Sequence, residues 1–348
     1  MQRHKAIVII LNYNGLIHLQ TYLPEIIEHT PYSIPIYMAD NASKDDSVRW
    51  VKAQFPKVLH FQNEQNFGYA GGYNLAIKAI ETDYVILLNS DLKVEANYAE
   101  FLIAAIDESD KIAAVQPKVL SLVEPQNFEY AGAAGGWIDG LGFPFCRGRI
   151  LDTIEPDKHQ YDQNTRIFWA SGAACIVRRE AFLEVGGFDD RFFAHQEEID
   201  LCYRLQLAGY EIHFEHRSVV HHLGGGTLHY DSPFKLRLNL RNNLWMLLKN
   251  KPSTTLIWLL PLRLSLDGVL ALRYILKGKF GHLTAILKAH YQFYSGIGYI
   301  IGQRRKVQRK VAEAQLQGVF RKNMLWRYHI AGEKKFTDLK IPKSAQDL

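Results

Sequence analysis

Residues 84–91 read Tyr-Val-Ile-Leu-Leu-Asn-Ser-Asp, and the fold follows from how that octet is interpreted. A continuous apolar run closed by three polar residues describes a strand buried on both faces that ends in a turn. The same arrangement recurs toward the N-terminus. Ala-Ile-Val-Ile-Ile-Leu (6–11) precedes Asn12, Ile-Pro-Ile-Tyr-Met-Ala-Asp (34–40) ends on Asp40, and Val-Leu-His-Phe-Gln-Asn (58–63) leads to Asn66. Between these runs, residues 16–29, 47–55 and 72–80 carry helical patterns, and Ser43-Lys44-Asp45-Asp46 predicts a capping box for the second helix. Strands alternating with helices make an α/β fold with a mostly parallel sheet covered on both faces. Ligands bind such sheets at the carboxyl ends of the strands, which singles out Asn12, Asp40, Asn66 and Asp91.

Downstream the regularity lapses. Residues 121–165 are rich in Gly, Pro and Asn without a period and predict a long acceptor-side loop or small subdomain. Strand and helix signals resume at 168–178 and 199–207, and from residue 236 the pattern is helical and apolar. The predicted division is residues 1–232 as a catalytic domain, with a nucleotide-sugar half over 1–120 and an acceptor half over 121–232, followed by a helical, basic region over 233–348. Residues 235–310 hold fifteen Lys and Arg against the single acid Asp267, so this segment carries about +14 of a chain whose total is +5. Residues 256–276 are long enough to span a bilayer, but Pro261, Arg263, Asp267 and Arg273 interrupt them. Lys288 and His290 break 282–301 in the same way. Interfacial helices on an anionic membrane fit this pattern, and a helical hairpin packed on the catalytic domain fits it as well. Three cysteines without a Cys-x-x-Cys pair predict a reducing compartment, and the short N-terminal apolar run reads as a first strand rather than a signal peptide.

Five constellations carry chemistry. Asp40-Asn41-Ala42-Ser43 offers a carboxylate to the imino N–H of a pyrimidine, or simply an Asx-turn. The stretch 66–74, Asn-Phe-Gly-Tyr-Ala-Gly-Gly-Tyr-Asn, places Gly71 and Asn74 where a helix N-terminus favours phosphate. Asn89-Ser90-Asp91 can hold a divalent ion against a diphosphate, or end a strand. Glu197, Glu198 and Asp200 cluster at a helix start between aromatic residues. Asp200 has Arg204 four residues on as a structural partner, while the bracketing aromatics point to a partly desolvated general base. His221-His222, before Gly224-Gly225-Gly226, can add a nitrogen ligand or form a surface pair.

In order, IVIILNYNG, DNASKDDS, NFGYAGGYNLAI, VILLNSD, SGAACIVRREAFLEVGGFDDRFF, EEIDLCYR and VVHHLGGGT span residues 6–227, and Arg241-Asn242 follows in the tail. This series resembles the family 2 glycosyltransferases, in particular their bacterial rhamnosyltransferase-like branch. The resemblance implies a GT-A type fold: a Rossmann-like nucleotide-binding half, a mixed central sheet flanked by helices, and here a helical C-terminal appendage. It implies a nucleotide cradled by the N-terminal half with Asp40 against the base and Asn89-Ser90-Asp91 as the metal-binding motif; with the strand ends and the glycine stretch, the expected nucleotide contacts are Asn12, Asp40, Asn66, Gly71, Asn74, Asn89 and Ser90. It implies a Mg²⁺ or Mn²⁺ site at Asp91 and His221, with His222 a close competitor. Glu198 is the implied catalytic base, with Glu197 and Asp200 as secondary candidates. Two departures stand out: Asn89 replaces the first aspartate of the usual Asp-x-Asp, and Glu198 replaces an aspartate.

The implied reaction is a single displacement that inverts the anomeric centre. The implied donor is dTDP-L-rhamnose, with a UDP-hexose or UDP-galactofuranose as the alternative. The implied acceptor is a membrane-proximal or lipid-linked glycan in cell-surface polysaccharide synthesis, with no nucleic-acid partner. The expected location is the cytoplasm, peripheral on the inner face of the cell membrane. Two rivals remain at this stage. One is a sugar-1-phosphate nucleotidyltransferase, disfavoured because Asn12-Tyr13-Asn14-Gly15-Leu16 lacks a basic residue at the end of the first loop. The other is an inactive family member serving as an assembly partner.

Overall fold

The computed structural model describes residues 4–224 and 232–341. Gly225, Gly226 and Thr227, the end of the glycine run after the histidine pair, lie outside the described residues. The first half is a plain alternation: β1 (His4–Asn12), α1 (Leu16–His29), β2 (Ile36–Asp40), α2 (Ser47–Gln54), β3 (Leu59–Gln62), α3 (Gly68–Ala79) and β4 (Thr82–Asn89). The chain continues through β5 (Leu92–Val94), α4 (Tyr98–Asp107) and β6 (Ile112–Ser121). Four short strands follow: β7 (Gly136–Asp139), β8 (Pro144–Cys146), β9 (Arg149–Ile150) and β10 (Thr153–Ile154). Next come β11 (Thr165–Arg166), β12 (Ala174–Arg178), α5 (Arg179–Glu184), α6 (Glu197–Leu207) and β13 (Glu211–His222). The rest is α7 (Pro233–Asn250), α8 (Ser253–Leu276), α9 (Phe280–Ser295), α10 (Ile297–Lys306), β14 (Val319–Phe320) and α11 (Met324–His329).

Nine strands form one mixed sheet, in the order β11-β13-β6-β12-β4-β1-β2-β3, with β5 pairing to β13. The β3-β2-β1-β4 half is parallel, and β12 runs antiparallel between β4 and β6. The continuous apolar runs are explained by burial on two sides. Ile7, Ile9, Val85 and Leu87 belong to one core with α3, whereas Val8, Ile10, Ile86 and Leu88 belong to the other with Leu19 and Leu23 of α1 and Leu102 of α4. The strand period of two sends alternate residues to opposite faces, so both parities must be apolar.

The aperiodic segment 121–165 folds into a second, five-stranded sheet, β10-β9-β8-β7-β14. Its last strand comes from the far C-terminus and pairs in parallel with β7. Phe336 packs on Trp137, Phe145 and Tyr161. From residue 233 the chain runs as helices through α10, after which β14 interrupts the helical pattern ahead of the short helix α11. Residues 313–341 return to this small sheet, because their aromatics need a core that they cannot make alone. The capping box expected at residues 43–46 does not form: no side chain caps α2, and Asp45 instead accepts from the backbone N–H of Leu16 and of Ser47. Lys288 and His290 lie inside α9, which ends at Gly296 before α10, where a β-carbon would meet the Trp245 ring at 2.4 Å.

Candidate active site

The four strand ends converge, but they play different parts. Asn12 is fully buried, and its amide donates to Asp40 Oδ1 (2.8 Å), Ser43 Oγ (3.1 Å) and Ser47 Oγ (2.9 Å). Asp40 is 2 % exposed. Its carboxylate accepts from Asn12, from the Ser43 backbone and hydroxyl, and from Gln62 Nε2 at 2.8 Å. The pair expected to touch a nucleotide is thus tied into the β1–β2 loop crossing, with the Asp40 carboxylate closing residues 40–43 through the Ser43 N–H.

The glycine-rich stretch takes a third course. The first N–H groups of α3, at Tyr69 and Ala70, donate to the Phe193 carbonyl at 2.8 and 3.3 Å. They are filled by protein where a phosphate was expected. Gly68 has φ +71°, and a β-carbon there would lie 2.5 Å from Phe193 O. A β-carbon on Gly71 would meet Phe67 at 2.7 Å, and one on Gly72 would meet Leu11 and Asn41. These glycines permit close packing of α3 on the sheet and on the 188–196 loop. Asn66 Oδ1 accepts from the Gly68 N–H (2.8 Å), and Asn74 bonds both ways with the Phe188 backbone and reaches Asp190. Asn66, Gly71 and Asn74 therefore build the floor under the acid-bearing loop.

That loop ends in Glu197 and Glu198, the first residues of α6. Each carries a buried carboxylate oxygen without a hydrogen-bond partner among the described residues. Burial, then repulsion from Glu198, pushes the Glu197 carboxyl well up. Burial also raises Glu198, to about 7, against the pull of backbone N–H groups at Glu198, Gln196 and Ile199. Two carboxyls competing for one desolvated place hold a proton near neutrality, a property suited to acid–base work. Asp200 behaves otherwise: it is fully buried, paired to Arg204 (2.8 Å) and Lys249 (2.8 Å), and accepts from Asn250 Nδ2 (2.8 Å). It is a structural anchor.

The loop holding the acids is strained and strapped. Phe193, His195 and Gln196 all have φ between +66° and +71°, a region that costs non-glycine residues energy and persists only when surroundings enforce it. The enforcement comes from α7. Asn242 Nδ2 donates to the carbonyls of Phe192 (3.0 Å), Ala194 (3.0 Å) and His195 (2.7 Å). Arg241 donates to Arg191 O and Phe192 O, and Asn243 to Gln196 Oε1 and Gly142 O. Of this strap, Arg241 and Asn242 were visible in the sequence only as part of a motif. The role of Asn243 carried no local signal.

Across the sheet, β13 settles the histidine pair. Successive side chains of a strand face opposite ways. His221 turns away and bonds Glu95 Oε1 at 2.9 Å, whereas His222 Nε2 stands 3.3 Å from Asp91 Oδ1. Of the two histidines, the one beside Asp91 is therefore His222 and not His221, where the metal-side histidine was expected. Glu129, which the sequence reading did not single out, lies 3.5 Å from His222 Nδ1. Asn89 Nδ2 is 3.5 Å from His222 Nε2, and Ser90 is half-buried beside them. Burial opposes a charged His222, but Asp91 and Glu129 lift it to about 10. Burial likewise works against an ionised Asp91, yet His222 and then His18 hold it below the usual carboxylate range. Two carboxylates converging on one imidazole make a spot that demands positive charge; a divalent ion that displaces the imidazole proton would meet oxygen and nitrogen donors that fit Mg²⁺ or Mn²⁺. The other acid–histidine group, Asp157, His159 and Asp162, is open to solvent and already bridged by the Lys118 ammonium.

The glycosyl transferase family 2 profile matches residues 7–186, more than half of the chain. The chain belongs to that family. An N-acetylglucosaminyl-diphospho-decaprenol L-rhamnosyltransferase of Mycobacterium tuberculosis (strain H37Rv) is 27 % identical over 294 residues, 76 % of this chain and 90 % of that protein. Rhamnosyltransferase WbbL of Escherichia coli K12 is 40 % identical over 156 residues, 42 % of this chain and 58 % of its own length. Among solved structures, GalNAc-T7 with UDP, GalNAc and Mn²⁺ superposes with a TM-score of 0.54 at 19 % identity, over 71 % of this chain and 48 % of that one. The mannosyltransferase PcManGT of Pyrobaculum calidifontis, in complex with GDP-Man and Mn²⁺, gives 0.52 at 14 % identity, over 84 % of this chain and 88 % of its own. The family 2 chain therefore has the GT-A fold and is a glycosyltransferase with rhamnosyltransferase relatives.

Proposed function

We propose that this family 2 enzyme transfers one sugar, with inversion, from a pyrimidine-nucleotide donor to a membrane-proximal or lipid-linked glycan, from a peripheral position on the inner face of the cell membrane. The donor proposed is dTDP-L-rhamnose. Its support is the similarity to a rhamnosyltransferase along 90 % of that protein's length. The observation that carries the chemistry is the Glu197–Glu198 pair at the head of α6, each acid with an unpartnered buried oxygen. Residues 1–120 serve the donor and residues 121–232 the acceptor in this reading.

Asp91 and His222 are the residues that would hold a divalent ion, with Glu129 behind His222 fixing its ring. Bound there, the ion would neutralise charge on the departing diphosphate. The chain's own work is proton transfer and positioning. Glu198 accepts the proton of an acceptor hydroxyl as that oxygen closes on the anomeric carbon from the face opposite the nucleotide. The C–O bond to the nucleotide diphosphate breaks with its electron pair, and the product is inverted. The buried position near Tyr69 and Cys202 excludes water that would otherwise solvate the carboxylate.

The test is turnover of purified protein with dTDP-L-rhamnose, UDP-glucose and UDP-galactofuranose. An N-acetylglucosaminyl-diphospho-polyprenol serves as acceptor, and the product anomer is read by NMR. Transfer of rhamnose with inversion supports the reading. Transfer only from a UDP-sugar moves the donor assignment, and a retained anomer overturns the single displacement.

A further inference from the structure

Helix α8 is amphipathic in the inverse sense. Its charged residues Arg263 and Asp267 point inward and are buried. Arg263 donates to Leu141 O at 2.8 Å and lies 3.6 Å over the Phe143 ring, while Asp267 meets His290 of α9 at 3.0 Å. Leu256 and Leu259 share that inward side. The outward arc holds Ile257, Trp258, Leu262, Val269, Leu272, Ile275 and Leu276, of which Ile257 is 78 % and Leu276 80 % exposed. At 100° per residue these seven fall within one half of the helix circumference. Helix α9 adds Phe280, Leu287, Tyr291 and Tyr294 at helical spacing, all exposed. Only 17 % of the most apolar window of α8 is buried. A helix that hides Arg263 and Asp267 in protein, keeps only Arg273 exposed near its end and turns aliphatic side chains outward is built to face an apolar medium.

The segment that carries this face is charged with one sign. Arg273, Lys277, Lys279 and Lys288 of α8, α9 and their connection are exposed, as are Arg305 and Lys306 at the end of α10, and the only acid in residues 253–310 is the buried Asp267. A second copy of the chain would set two like-charged segments against each other. An anionic lipid leaflet meets both features, with apolar chains for the face and phosphate headgroups for the cations.

We infer that the α8–α9 face is a monotopic membrane anchor that lies in the plane of an anionic leaflet, with Trp258 and Leu272 in the acyl boundary. The inward bonds of Arg263 and Asp267 fix α8 to the body, so the helix lies on the bilayer rather than crossing it. This deepens the membrane-proximal reading above and rests on it only for the choice of a bacterial inner leaflet.

The experiment uses the full chain and vesicles of phosphatidylcholine with or without phosphatidylglycerol. The parent should float with the anionic vesicles and less with pure phosphatidylcholine, and binding should weaken as salt rises. Leu272→Glu with Leu276→Glu should reduce the vesicle-bound fraction roughly tenfold or more, since each change places a carboxylate where an aliphatic chain inserts. Both positions are exposed, 55 % at Leu272 and 80 % at Leu276, and an unchanged thermal midpoint checks that the variant is folded. Vesicles with brominated acyl chains should quench the parent's tryptophan fluorescence more than that of Trp258→Phe. Equal flotation of parent and double variant, or equal quenching of parent and Trp258→Phe, overturns the anchor. So does a parent that sediments as a dimer, is dispersed by the double substitution and ignores vesicles: the face is then an interface between copies. Transfer to a short, water-soluble acceptor separates this from the proposed reaction, because the double variant should keep that activity at the parental rate. Loss of all transfer with intact flotation sinks the reaction and leaves the anchor.

Discussion

The side-chain amide of Asn242 lies 2.7 Å from the carbonyl oxygen of His195, on a residue whose φ is +69°. The same nitrogen serves Phe192 and Ala194, so one side chain fixes the backbone that delivers Glu197 and Glu198. Removing it leaves the Ala194 and His195 carbonyls to find partners, while Phe192 O keeps Arg241, and frees a strained loop to relax. Asn242→Ala should cost about 1–3 kcal/mol in urea unfolding. It should also lower kcat roughly ten- to a hundredfold while donor KM changes little. Asn242→Asp, which accepts but does not donate, should be at least as poor. A variant that is less stable yet turns over normally would reduce the strap to a stabilising role.

The Asp91–His222 contact predicts a split between adjacent histidines. His222→Ala should weaken Mn²⁺ binding, read directly by the electron paramagnetic resonance of free Mn²⁺, by about ten- to a hundredfold, and Glu129→Gln should weaken it less. His221→Ala should leave it unchanged, because that ring faces Glu95. Chelation by EDTA should abolish transfer in the parent. Strong loss in His221→Ala with none in His222→Ala would return the assignment to residue 221.

The parallel half of the sheet was legible because two-sided burial leaves an unmistakable mark: Val85 to Leu88 are apolar without a gap. The acid pair was legible because Glu197 and Glu198 sit at a helix start among aromatics. The histidines were not, since which of two neighbours faces inward depends on strand register, here His222 opposite Leu92 and His221 opposite Lys93. The glycines at 68, 71 and 72 were ambiguous for a related reason. Glycine marks close approach, and the sequence does not say whether the visitor is a phosphate or, as with Phe193, the protein's own backbone. Glu129 and Asn243 act across 93 and 47 residues of chain, on His222 and Gln196 respectively, and nothing local announces such partners.

Asp40 offers a discriminating case. A carboxylate that only met a nucleotide could be removed without harm to the fold. This one is buried and accepts from Asn12, Ser43 and Gln62. Asp40→Ala should therefore lower stability by about 1–3 kcal/mol in the absence of any ligand. An unchanged unfolding midpoint, with dTDP affinity lost, would mean that the network rearranges freely to admit the base.

Glu198 supplies the last prediction, in which catalysis and stability should share one titration. Burial raises its carboxyl to about 7, while an unfolded chain ionises glutamate near 4.3. Between those values the unfolded state holds fewer protons than the folded one, so stability falls as pH rises. The same ionisation creates the base, so kcat should climb through about pH 7 and level off above it. Glu198→Gln cannot ionise. It should lose about 10²–10⁴ in turnover with donor affinity retained. It should also be more stable than the parent at pH 8, on the order of 1–3 kcal/mol, and by a smaller margin at pH 5. Urea unfolding at both values, with parallel rate profiles, reads both effects. Should Glu197→Gln carry this double signature and Glu198→Gln stay active, the base is the earlier residue. If stability gains appear without loss of turnover, the buried acid is a strained structural group and the proton leaves by another route.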